Sequence, residues 1–148
     1  MRDDRDRDEC KRGVIKNVER KMQLADFSGL RWGKITPTDI DGLLVSVSGL
    51  LDFGGELFIA LELKTCGTGM PRGQRYALRN LSSAIARGGA ACHVLVAEHD
   101  TPVGTAIDAA GADVVELCEN GQWRLPARSV KVREAVDFYL MEAKRRRL

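Results

Sequence analysis

The stretch Ala91 to Ala97 constrains the fold most, because it is apolar at every position but His93 and no longer than a strand. A run of that length with no polar alternate face reads as a strand covered on both sides, near the centre of a sheet with helices packed over it. The residues before it agree. Leu57, Ile59, Leu61 and Leu63 alternate with Phe58, Ala60, Glu62 and Lys64, the period of a strand. Pro71 to Arg87 then places Tyr76, Leu78, Leu81, Ala84 and Ile85 at helical spacing, and Gly88-Gly89 stops the helix.

The rest of the chain fits around these segments. Val14, Ile15, Val18, Met22 and Leu24 give a short amphipathic first helix, and Asp39 to Val47 reads as a strand. The glycine-rich segment Gly49 to Gly55 reads as the turn of a hairpin that brings this strand beside the next. Downstream, Val103 to Ala110 reads as a short helix and Asp113 to Cys118 as a strand. Glu119-Asn120-Gly121 reads as a turn into Gln122 to Leu125, and Val130 to Arg147 as a closing helix that ends in a basic cluster from Lys144. Residues 1 to 12 alternate acidic and basic side chains with almost nothing to bury, which marks a charged N-terminal arm. The expectation is one α/β domain over residues 13–148, with a central mixed sheet flanked by helices.

Composition narrows the function classes. With 23 Lys and Arg against 21 Asp and Glu, the net charge of +2 neither demands nor rules out a polyanionic partner, so local distribution matters more. The cysteines at 10, 66, 92 and 118 include no C-x-x-C pair, and the only histidines, His93 and His99, complete no zinc-ligand spacing. Scattered thiols of this kind read as reduced, which points to a cytoplasmic protein. The charged start is followed by no apolar core of a signal peptide, and no apolar stretch reaches the roughly 20 residues that span a bilayer, so no membrane partner is expected.

The candidate chemistry lies where acids meet a lysine. Glu62 and Lys64 share one face of their strand, and Thr38-Asp39-Ile40-Asp41-Gly42 lies one hairpin upstream. By default a Glu-x-Lys pair on a strand is a solvent-facing ion pair contributing under about 1 kcal/mol. Here Phe58, Ala60 and Leu61 surround it, and either Asp39 or Asp41 can reach the same space, Asp41 being preferred. Two carboxylates suit a hard cation such as Mg²⁺ or Mn²⁺, which neutralises phosphoryl oxygens and generates a nucleophile. Asp41 and Glu62 are the expected metal ligands, and the main-chain carbonyl of Leu63 is near enough to add a third oxygen. Lys64 can then orient water or stabilise transition-state charge.

These residues, with Gln74 in Met70-Pro71-Arg72-Gly73-Gln74, resemble the PD-(D/E)XK nuclease superfamily in its order of helix, acidic strand, Glu-x-Lys strand, helix and strand. The resemblance covers about half of the chain, and Trp32 to Glu98 is similar to small phage or prophage nucleases of the VRR-NUC-like and Holliday-junction-resolvase-like types. It implies a restriction-endonuclease-like core and a Mg²⁺-dependent endonuclease acting on DNA, with Asp41, Glu62, Lys64 and Gln74 as catalytic residues and Glu19 of the first helix as a further acidic ligand. If phage-encoded, the protein would act in the cytoplasm of a bacterial host. Two departures stand out: the acidic motif reads Thr-Asp-Ile-Asp in place of Pro-Asp, and Leu78 stands where the RecB-like branch has a tyrosine. Arg72, Arg75 and Arg79 are the expected phosphate contacts on the helix. RNA shares the relevant chemistry, and a homodimer would provide paired sites on a duplex. A nucleic-acid-binding protein of the same fold without turnover and a small α/β interaction protein are the competing readings.

Overall fold

The computed structural model describes residues 40–46 and 57–145. The chain divides into two units, Met1–Pro37 and Thr38–Leu148, and all described residues belong to the second. The N-terminal arm, the first helix, the turn Gly49 to Gly55, Glu19 and Asp39 therefore lie outside the described residues.

Strands β1 (Gly42–Ser46), β2 (Leu57–Thr65), β3 (Ala91–His99), β4 (Asp113–Glu119) and β5 (Gln122–Arg124) form one mixed sheet in the order β1-β2-β3-β4-β5. β2 and β3 run parallel and the other neighbouring pairs antiparallel. Helix α1 (Arg72–Arg87) makes the crossover between the parallel pair, and α2 (Val132–Arg145) closes the described chain. The alternation legible in β2 divides the core. Leu57, Ile59 and Leu61 pack with Leu95 and with Val132, Ala135 and Tyr139 of α2. On the opposite face Ala60 and Val94 pack with Cys118 and with Leu78 of α1. β3 is covered from both sides, with Leu95 buried on one face and Val94 on the other, as its apolar run required. The result is an α/β domain with a central mixed sheet flanked by helices.

Two local features follow from backbone chemistry. At the β4–β5 hairpin, Asn120 and Gly121 take φ of 49° and 88°, between the paired Glu119 and Gln122. Successive positive φ values match the right-handed twist of the flanking strands, and Asn-Gly is the sequence that tolerates them best. The segment expected as a short helix from Val103 to Ala110 is irregular instead. Of its apolar residues only Ala109 packs against the core; Val103 is fully exposed, and Gly104 adopts a φ of 86° within a turn closed from the Thr105 amide to the Pro102 carbonyl. A helical period with so little apolar surface to pack on leaves too little to offset the cost of ordering the turns.

Cys92 and Cys118 are buried, and burial pushes both thiols above their usual range. Cys66 is free and exposed. Among the described residues, no helix is long and apolar enough to cross a membrane.

Candidate active site

Glu62 lies on the α1 face of β2, between the strands that pair with it, and is only 2% exposed. A carboxylate this deep requires compensating partners, and the chain supplies them from β2 itself and from the first turn of α1. Lys64 Nζ donates to Glu62 Oε1 at 2.7 Å and to Gln74 Oε1 at 2.9 Å. Gln74 Nε2 donates to the same Glu62 oxygen at 2.5 Å. The orientation of the amide follows from chemistry: an ammonium can only donate, so the oxygen of Gln74 faces Lys64 and its nitrogen faces Glu62.

The other oxygen is different. Glu62 Oε2 is buried and has no hydrogen-bond partner among the described residues. An unsatisfied buried acceptor costs on the order of 1–3 kcal/mol, more when charged, so this oxygen is the atom of the site most in need of a donor or a cation.

Asp41 approaches from β1. The β1–β2 ladder ends at Gly42↔Leu61, and the chain bends at Asp41. Beyond that pair the amide of Leu63 has no β1 carbonyl opposite it, and it donates to Asp41 Oδ2 at 2.7 Å. In an extended strand the N–H and C=O of one residue point to the same edge, so the Leu63 carbonyl is directed to the side on which Asp41 sits. Glu62, Lys64 and Gln74 are thus brought together, and Asp41 is held separately at the amide of the neighbouring Leu63.

Among the described residues no group of three or more His, Cys, Asp or Glu side chains could hold a metal ion. The oxygens nearby are those of the Glu62 carboxylate and, at the Leu63 amide, of the Asp41 carboxylate. Mg²⁺ binds through as few as one or two carboxylates and keeps several waters.

The arginines of α1 have separate fates. Arg75 forms a bidentate ion pair with Glu116 of β4, and its guanidinium lies 4.4 Å from the centre of the Trp123 ring. It is turned onto the sheet, whereas Arg72 and Arg79 are exposed. Glu116 and Trp123 were the partners sequence reasoning missed for this helix. The available signal resembled that at Glu62, an acid flanked on both sides by apolar residues within a strand, Val114-Val115-Glu116-Leu117-Cys118.

On the opposite face the Tyr139 hydroxyl donates to Glu119 Oε1 at 2.7 Å, Arg124 pairs with the same carboxylate, and the Tyr139 ring stacks on His93 at 4.1 Å. Burial raises the Tyr139 phenol well above its usual range, and the bond to Glu119 adds to this. His99 Nδ1 accepts the Thr101 amide at 3.2 Å, the part of a structural histidine in a turn.

No protein-family model matches the chain, and neither the curated proteins nor the solved structures include a match.

Proposed function

We propose that this protein is a metal-dependent nuclease that hydrolyses DNA phosphodiester bonds. The observation that supports this reading best is the buried Glu62 carboxylate, which has one oxygen bound by Lys64 and Gln74 and the other without a partner among the described residues. Asp41, Glu62 and the Leu63 carbonyl would hold Mg²⁺ or Mn²⁺, which when bound supplies charge neutralisation at the phosphate and an acidified water. Lys64 donates hydrogen bonds where negative charge develops, and Gln74 fixes its ammonium by accepting one of its protons. Glu62 is the acceptor that holds Lys64 and Gln74 together. The resemblance to PD-(D/E)XK enzymes supports the same assignment of roles, and the mixed sheet with its α1 crossover supports the same order of elements. Selectivity for junctions or flaps and a cytoplasmic site of action belong to this proposal. So does a homodimer, which would bury the exposed Phe138 and Met141 of α2.

One observation favours a second reading. Lys64, Gln74 and one oxygen of Glu62 satisfy one another without a metal, and the site offers fewer than three acidic, histidine or cysteine ligands among the described residues. This suits a DNA-binding module of the same architecture without turnover.

The test is cleavage of labelled junction, flap, single-stranded and duplex DNA with Mg²⁺, Mn²⁺ or EDTA. The nuclease reading expects metal-dependent cutting that is lost in Glu62→Ala and Lys64→Ala, together with a metal-dependent rise in melting temperature that is absent in Glu62→Ala. DNA binding without cutting in any metal leaves the second reading.

A further inference from the structure

Helix α1 contains four arginines, Arg72, Arg75, Arg79 and Arg87, and no acidic residue among its 16 positions. At about 100° per residue, Arg72, Tyr76, Arg79 and Arg87 fall within an arc of roughly 80°. Leu78 lies about 140° round from the centre of that arc and Ser82 about 100°, and both are buried on the sheet. The arc thus carries three exposed guanidinium groups and one aromatic ring, with the half-buried Ser83 between them accepting a hydrogen bond from Arg87. Tyr76 is 61% exposed, and the Arg79 guanidinium lies 5.0 Å from its ring centre. The row starts in the same first turn as Gln74, which lies on the other side of the helix, about 180° from the centre of the arc.

We propose that this arc is a track for single-stranded DNA, with phosphates paired to Arg72, Arg79 and Arg87 and an unpaired base stacked on Tyr76. A helix face with only positive charge complements a polyanion; the Arg79 guanidinium covers one face of the exposed Tyr76 ring, and the other face is the one a base would take. Single-strandedness follows from the ring: a duplex stacks its bases on one another, and only an unpaired base presents a free face to an aromatic side chain. The inference rests on the proposed nuclease reading for the choice of DNA, and it commits the substrate to an unpaired segment held on the side of α1 away from Gln74. Arg75 is excluded from the track by its pairing with Glu116.

The experiment is fluorescence anisotropy with the full chain in EDTA, where no metal-dependent turnover occurs, using a labelled single strand, the matching duplex and the matching RNA. Tyr76→Ala is expected to weaken single-strand binding roughly tenfold and to leave duplex binding unchanged, while Tyr76→Phe keeps the stack and stays within about twofold of wild type. Arg79→Ala weakens single-strand binding too, whereas Arg133→Ala, on the exposed surface of α2, has no effect. Wild-type affinity in Tyr76→Ala, equal losses for duplex and single strand, tighter binding of the RNA, or no binding by the wild type overturns the proposal. Failure of the nuclease reading is seen separately. A protein that binds through Tyr76 but cuts nothing with Mg²⁺ loses the activity and keeps the track, and one that cuts while Tyr76→Ala binds normally loses the track alone.

Discussion

At the scale of single residues, Lys64 has two tasks that mutation separates. Its side chain is 17% exposed and pairs with a carboxylate that is 3% exposed, so removing it leaves Glu62 charged in an apolar setting with Gln74 as its only donor. Lys64→Ala is expected to lower unfolding free energy by about 3 kcal/mol, while the double change Glu62→Gln with Lys64→Met costs less because neither charge remains. Urea denaturation midpoints measure this, and equal losses in the two variants would refute the coupling. The pairing of Glu62 with Lys64 was legible in the sequence, since period two puts residues i and i+2 on one face. The same argument named Gln74 only through resemblance. Its two hydrogen bonds depend on where α1 begins relative to β2, which spacing does not specify.

At the scale of elements, the β4–β5 hairpin, α1 and β3 are tied at one point. Ser82 is fully buried; its hydroxyl donates to the Cys92 carbonyl at 2.6 Å and accepts the Gly121 amide at 3.0 Å. Ser82→Ala removes the acceptor of the Gly121 amide, while the Cys92 carbonyl keeps the Asn120 amide at 2.9 Å, and is expected to cost about 1–2 kcal/mol, read from thermal unfolding; a neutral result would show that water replaces the hydroxyl. Gly121→Ala is expected to be as costly, because φ is 88° and the added Cβ would sit 2.7 Å from the Ser83 Cβ. The Asn-Gly turn was legible, since few dipeptides accept two positive φ values. Val103 to Ala110 misled because helical spacing records only the chance to bury a face, and of its apolar residues only Ala109 meets the core.

At the scale of the whole molecule, the α2 side of the sheet sets expected pH limits. Tyr139 is raised above its ordinary value of 10.0 by burial and by its bond to Glu119, so the fold favours the neutral phenol. That contribution is complete below pH 10 and is lost as pH rises through the higher folded value. Glu119 behaves in the opposite sense. Burial works against its ionisation, but hydrogen bonds from Arg124 and Tyr139 outweigh this and hold it below its ordinary 4.5. Its contribution is present above pH 4.5 and lost as pH falls through the folded value. Tyr139→Phe should therefore cost about 1 kcal/mol at neutral pH and flatten the alkaline limb of a melting-temperature profile. An unchanged alkaline limb would assign that limb to other groups.

Hydrophobic period marked the strands and helices of the described chain, with Val103 to Ala110 the exception, and showed that β3 is covered on both sides and that Glu62 and Lys64 share a face. These are local consequences of backbone geometry, which fixes where successive side chains point. Tertiary structure decided the rest: that Gln74 bridges the ion pair, that Asp41 takes the Leu63 amide at the end of a ladder, that Arg75 turns inward to Glu116 while Arg72 and Arg79 remain outside, and that Tyr139 meets Glu119 across 20 residues. Each of these contacts joins elements distant in sequence, and its geometry is set by strand order and helix placement, which emerge only when the whole apolar surface is buried at once.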